Sequence, residues 1–185
     1  MRAYSMSDKY KANAPNEIHF ITMAIVQWAD VFTRREYCEI VCDSLSYCQK
    51  SKDLTLYAWC IMTNHLHLIC SAPTLPAVVR DFKKYTAKEL YKSIRENPQE
   101  SRKGWLLWLM KSAGELSSKH EIYKLWQEGY HPVLLYNNQL MEQKLDYLHG
   151  NPVKAGFVSE PEQWNYSSAI DYAGGKGRLE IAYIQ

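Results

Sequence analysis

Apolar and polar positions along this chain switch repeatedly between a two-residue and a roughly four-residue period. The run Ile18 to Trp28 (IHFITMAIVQW) is dense in apolar, β-branched and aromatic residues and reads as a strand. Thr33-Arg34-Arg35-Glu36 has the form of a helix start, with Thr33 as N-cap and Glu36 as its capping-box partner, and that helix runs to about Lys50. Leu54 to Met62 and His65 to Ser71 read as two strands, joined by a tight turn at Thr63-Asn64. Leu75 to Glu96 follows the helical period and is stopped by Asn97-Pro98. Trp105 to Leu116 predicts a further short helix, and Ile122 to Trp126 and His131 to Tyr136 look extended, interrupted by Gly129. Asn138 to His149 predicts an amphipathic helix with Leu140, Met141, Leu145 and Leu148 as its apolar stripe, ended or kinked by Gly150-Asn151-Pro152. The order strand, helix, strand, strand, helix, strand, helix fits an α+β ferredoxin-like sandwich, an antiparallel sheet backed by helices.

With 185 residues, 46% of them apolar, one domain spanning 1–185 is expected. Its core covers about 17–158, and a tail over 159–185 packs onto it. The tail aromatics Trp164, Tyr166, Tyr172 and Tyr183 either pack on the domain or stack on nucleobases. No segment approaches the roughly 18 uninterrupted apolar residues of a membrane helix, and the stretch Met1 to Asn16 is polar. A cytoplasmic location without membrane contact is therefore expected. The cysteines Cys38, Cys42, Cys48, Cys60 and Cys70 are odd in number and form no CxxC pair, so reduced, buried thiols are expected.

The net charge of +2 is unevenly spread: 0 over residues 1–79, +5 over 80–119 and −3 over 120–185. Arg80, Lys83, Lys84 and Lys88 recur at helical spacing, and Arg102 and Lys103 extend the basic stretch. Such a row is either a solvated helix face or a track for a polyanion backbone.

His65-Leu66-His67 is the motif richest in chemistry. Two residues apart on a strand, the imidazoles project from one sheet face and suit a divalent metal, although a lone pair of this kind is as readily structural. Asn151 falls four residues after Tyr147, one helical turn on, and its amide oxygen is a hard ligand for Mg²⁺ or Mn²⁺. Tyr147 would then stand about a turn from the metal, placed for covalent attack on a phosphoryl group that the metal polarises. Tyr130, beside His131, is a rival nucleophile. His149 is a rival ligand that faces away from Tyr147 on a helix.

Four runs carry a resemblance to a known family: Ile61-Met62-Thr63-Asn64-His65-Leu66-His67-Leu68, the helix around Asp81-Phe82-Lys83-Lys84, Trp126-Gln127 through His131-Pro132, and Leu145-Asp146-Tyr147-Leu148-His149-Gly150-Asn151-Pro152-Val153-Lys154-Ala155-Gly156. Trp164 to Ala169 (WNYSSA) adds to it. Over about residues 17–175 the chain resembles the HUH-type single-tyrosine transposases of the IS200-like superfamily, and within them the REP-associated branch. The resemblance implies a domain that cuts and rejoins single-stranded DNA at hairpin-associated sites through a 5′-phosphotyrosine link. It also implies His65, His67 and Tyr147 as catalytic residues, His65, His67 and Asn151 as metal ligands, and Mg²⁺ or Mn²⁺ as the metal. The chain departs from many relatives in carrying Thr63 where they have proline. The partner implied is hairpin-bearing single-stranded DNA, bound by a monomer or a homodimer. The alternative is a domesticated module that holds a hairpin without cutting it. Histidine-triad hydrolases are disfavoured because position 69 is Ile69.

Overall fold

A sheet whose two faces both carry apolar side chains must be covered on both sides, and this constraint organises the chain. The computed structural model describes residues 14–117 and 122–183; the polar stretch up to residue 13, residues 118–121 and the last two residues lie outside it. Strands β1 (His19–Ala24), β2 (Thr55–Ile61), β3 (His65–Ser71) and β4 (Val133–Leu134) form one antiparallel sheet in the order β2-β3-β1-β4. In the β1–β3 register Thr22 lies opposite His67 and Ala24 opposite His65; on the other side of β3, Cys60 of β2 lies opposite His67.

Alternation along the strands divides the core. Ile21, Met23, Leu66, Leu68 and Cys70 point to one face. Helices α1 (Arg35–Ser51) and α2 (Leu75–Glu96) cover it with Tyr37, Val41, Leu45, Val78, Phe82 and Leu90. Phe20, Ala58, Cys60 and Ile69 point to the other face, where α4 (Asn138–Lys154) lays down Met141 and Leu148. Two crossover helices on one face of a sheet in this order make the ferredoxin-like α+β sandwich, with α4 as an added layer over the second face. Helix α3 (Lys103–Glu115) extends the first layer, and no helix among the described residues is long and apolar enough to cross a membrane. All five cysteines are buried free thiols, and burial pushes the Cys70 thiol up to about 12.

Four element boundaries differ from the sequence reading. Helix α1 begins at Arg35 without a side-chain cap: the Thr33 hydroxyl instead accepts from Arg102, and Glu36 accepts from Asn97. The first strand ends at Ala24, after which the chain turns through Val26–Trp28 with Gln27 and Trp28 at positive φ. Of the extended stretch expected over Ile122 to Trp126, only Trp126 pairs, in a single bridge to Ile25. Helix α4 runs past Gly150 and Asn151 and holds the buried Pro152 in its last turn. Its start is fixed by the Asn137 side chain, which accepts from the Leu140 amide.

The tail folds back along β2 and touches both layers, Tyr166 and Leu179 on the α1–α2 side and Trp164 and Tyr172 on the α4 side. Trp164 Nε1 donates to the Ile61 carbonyl (2.9 Å), Tyr172 to the Tyr57 carbonyl (3.0 Å) and Tyr183 to the Asp171 carbonyl (3.2 Å). A short helix, α5 (Ala169–Tyr172), lies within it.

Glu100 is a buried carboxylate held by Arg34 Nε (2.8 Å), Arg102 Nε (3.2 Å), the Arg102 amide (3.0 Å) and the Tyr37 hydroxyl (3.2 Å). Burial alone raises its pKa. The Arg102 backbone N–H and the Arg34 and Arg102 guanidiniums outweigh that and bring it to about 2. Since the folded value lies below the unfolded one, the stabilisation is present above about pH 4.3 and is lost as pH falls towards 2. Glu100→Gln is expected to cost about 3 kcal/mol at pH 7, because it strands two guanidiniums around a neutral group. In urea melts between pH 7 and pH 3 the wild-type protein should lose part of that difference and the variant should not. Parallel pH profiles for the two proteins would contradict this reading.

Candidate active site

The site lies on the α4 face of the sheet, where the period of β3 and the period of α4 bring their side chains together. His65 and His67 share one side of the β3 pleat, with ring centroids 4.6 Å apart. Tyr147 projects from α4 onto them, its ring 5.4 Å from that of His67 and edge-on to it. Phe20 of β1 completes the group, 5.2 Å from His67 and 6.0 Å from Tyr147. The structure thus brings three of the residues expected from the sequence into one cluster. Asn151 stands one turn beyond Tyr147 on the same helical face.

The imidazoles are held differently. His67 is 3% exposed, its Nδ1 is 2.8 Å from the Thr22 hydroxyl, and its Nε2 is buried with no hydrogen-bond partner. His65 Nδ1 lies 2.6 Å from Asn64 Oδ1, and the Trp28 ring stands edge-on to it at 5.7 Å. Burial lowers the pKa of His65. It lowers that of His67 to about 3, helped by the neighbouring His65 and Lys144 charges. Neutral rings with Nε2 available are the form that binds a metal. Asn151 offers a second unpartnered buried atom, its amide nitrogen. An amide's nitrogen and oxygen exchange places by a simple flip, so this end of the side chain serves equally as an oxygen donor. No group of three or more His, Cys, Asp or Glu side chains arranged to hold a metal occurs among the described residues.

Tyr147 is 41% exposed and flanked by two ammonium groups, Lys144 Nζ at 5.7 Å and Lys154 Nζ at 5.6 Å from its ring centroid. Positions 144, 147, 151 and 154 form one stripe along α4. The sequence reading passed over both lysines, although their spacing from Tyr147, three back and seven on, marks them. Phe20, Thr22 and Trp28 were also missed, because only the strand register and the turn after β1 bring them to the histidines.

The rivals lie elsewhere. Tyr130 packs against the core on the α1–α2 side of the sheet, and burial raises its pKa. His149 is buried with Nε2 2.9 Å from the Ser168 hydroxyl, facing the tail, and burial lowers its pKa to about 4. The basic row on α2 lies on the layer opposite Tyr147. Arg80 pairs with its neighbour Asp81, and Lys83 donates to the Gln127 and Gly129 carbonyls (2.7 Å each), fastening that loop. Lys84 and Lys88 are exposed. Arg102 donates to the Asp30 carbonyl and the Thr33 hydroxyl as well as to Glu100, while Lys103 opens α3 half-buried.

Because the unfolded imidazole titrates near 6.5, the depressed value of His67 means that stability falls as pH drops from about 6.5 towards 3. In metal-free protein the His67 ring should still be neutral at pH 5, as read by its NMR ring shifts. Titration near pH 6.5 would contradict the burial argument.

Comparison with known proteins agrees with this architecture. The sequence profile of the family described as "Transposase IS200 like" matches residues 16–111, which include β1, β3 and both histidines. A curated protein of Haemophilus influenzae, described as a REP-associated tyrosine transposase, is 26% identical over 114 residues, covering 60% of this chain. The matched part spans 56% of that relative's length. A solved structure described as a REP-associated tyrosine transposase bound to a REP hairpin superposes with a TM-score of 0.63 at 16% identity. It covers 100% of this chain and 94% of its own. The profile match over more than half of the sequence decides the question of kinship: this chain belongs to the IS200-like transposase family.

Proposed function

We propose that this protein cuts and rejoins single-stranded DNA beside a hairpin, with Tyr147 as nucleophile. The observation that carries the reading is the meeting of Tyr147 with His67 on the α4 face, ring to ring at 5.4 Å, with an unpartnered Nε2 on His67 and an unpartnered amide atom on Asn151. A buried polar atom without a partner costs on the order of 1–3 kcal/mol, so two in one site call for a ligand. Two imidazoles and an amide fit a divalent ion such as Mg²⁺ or Mn²⁺, and His65, His67 and Asn151 would hold it. When bound, such an ion polarises a phosphodiester and fixes it for in-line attack.

The chain's own groups supply the rest. Phe20 and His67 pack against the Tyr147 ring from the sheet side and restrict where its hydroxyl can point. Lys144 and Lys154 set two positive charges beside the phenol, where a phosphate must approach. Tyr147 Oη bonds to phosphorus and loses its proton to solvent, and the bond from phosphorus to the 3′ oxygen breaks. That oxygen ends as a free 3′-hydroxyl while the 5′ side stays on the tyrosine. Reversal by a 3′-hydroxyl rejoins a strand without a separate energy source, since the phosphotyrosine keeps the ester bond.

The hairpin bound in the related solved structure suggests the substrate class for this chain. The exposed Lys84 and Lys88 on α2, with Arg80 and Lys103, serve as outlying phosphate contacts. Lys83 and Arg102 contribute chiefly by holding the loops behind that surface.

Incubation with a labelled hairpin bearing a single-stranded flank, with Mn²⁺, should give a covalent protein–DNA band on a denaturing gel. Tyr147→Phe should abolish that band while hairpin affinity stays within about twofold; Tyr130→Phe should leave the band intact. A band retained in Tyr147→Phe would refute the assignment, and tight binding with no band in the wild type would favour the non-cutting module. Replacing Lys84 and Lys88 together by Ala should lower the slope of log affinity against log salt by about 2. An unchanged slope would remove α2 from the interface.

A further inference from the structure

The turn that delivers His65 is tied to a carboxylate 33 positions before Thr63 in the sequence. Asp30 Oδ1 accepts from the Thr63 hydroxyl at 2.6 Å and from Asn64 Nδ2 at 3.2 Å. Asn64 Oδ1 in turn lies 2.6 Å from His65 Nδ1. Donor and acceptor roles follow by elimination. A carboxylate only accepts, so the amide nitrogen of Asn64 must face Asp30 and its oxygen must face His65. An amide oxygen also only accepts, so His65 Nδ1 must carry the proton. Its Nε2 is then left with a lone pair.

Asp30 is anchored in turn. Its backbone carbonyl accepts from Arg102 at 2.7 Å, and Arg102 is held by the buried Glu100. The tie runs from the Glu100 cluster through Asp30 and Asn64 to the ring of His65. Thr63 belongs to it by its hydroxyl, which a proline at that position lacks.

We infer that Asp30 is a positioning residue: acting through Asn64, with Thr63 as a second tether, it fixes the His65 ring with Nδ1 protonated and Nε2 free to meet a metal ion. Groups behind a ligating histidine set its tautomer and orientation, and losing one lowers metal affinity by roughly 10–100-fold. The inference about the tautomer stands on the hydrogen bonds alone; the part concerning the metal rests on the proposed function.

The test uses full-length, ¹⁵N-histidine-labelled protein without metal, read by long-range nitrogen–proton NMR, which distinguishes the tautomers. Wild-type His65 should show Nδ1 protonated. Asp30→Ala should move His65 towards the Nε2-protonated form that free histidine favours. Asp30→Asn, which keeps an acceptor oxygen, should preserve the wild-type state. If Asp30→Ala fails to fold, Asn64→Ala removes the oxygen that accepts the His65 Nδ1 proton and should give the same shift. Mn²⁺ is then titrated in, and the concentration that half-broadens the His65 signals should rise roughly tenfold or more in Asp30→Ala. Wild-type His65 protonated at Nε2, or an unchanged tautomer in both Ala variants, overturns the inference. A wild-type tautomer as expected but no Mn²⁺ broadening at His65 overturns the metal reading and leaves the positioning of the ring intact.

Discussion

The antiparallel pairing of β1 with β3 is the constraint on which the site depends. It sets Thr22 against His67 and Ala24 against His65, and the pleat then carries both imidazoles to the α4 side. A slip of one residue would send His65 and His67 into the apolar layer under α1 and α2 and expose Leu66 and Leu68 instead. The burial of Leu66, Leu68 and Cys70 on that layer therefore fixes the orientation of the histidines. The hydrophobic core and the candidate active site are two faces of the same register.

Division of the molecule into layers separates its tasks. The α1–α2 face is almost wholly apolar and supplies the packing. The α4 face is smaller in apolar content and carries the histidines, Phe20 and the tyrosine. Helix α4 serves both, since Met141 and Leu148 seat it on the sheet while positions 144, 147, 151 and 154 form a stripe that presents charge, phenol and amide. Polar ties come in from outside. The Glu100–Arg102–Asp30–Asn64 series holds His65 from the loop side, and the Thr22 hydroxyl holds His67 from the sheet. The two histidines are thus oriented by independent sets of groups.

Much of this was legible in the sequence where periodicity is strong. The spans of β3 and α2 match the expected His65–Ser71 and Leu75–Glu96, because long or densely apolar runs leave little room for another period. The meeting of Tyr147 with the histidine pair was implied by the family resemblance, not by periodicity. Three features were not legible, each because distant residues decide it. Thr33 lost its capping role to Arg102, 69 positions away. Gly150-Asn151-Pro152 was expected to end or kink α4; it does not end there, and the helix continues to Lys154 with Pro152 buried. Lys83 and Arg102 read as free surface charges, whereas backbone carbonyls at Gln127, Gly129 and Asp30 occupy them. Charge counts along a chain cannot reveal which cations the fold has already engaged.

The central claim is that one tyrosine, on the face shared by α4 and β3, forms the bond to DNA. The chain has 14 tyrosines, so the identity of the linked residue discriminates sharply. The most direct measurement is mass spectrometry of protease fragments from the trapped protein–DNA adduct after nuclease digestion. The account predicts a nucleotide attached by its 5′ phosphate to the peptide containing Tyr147 and to no other. Attachment at any other residue, or a 3′-linked nucleotide on Tyr147, would contradict it.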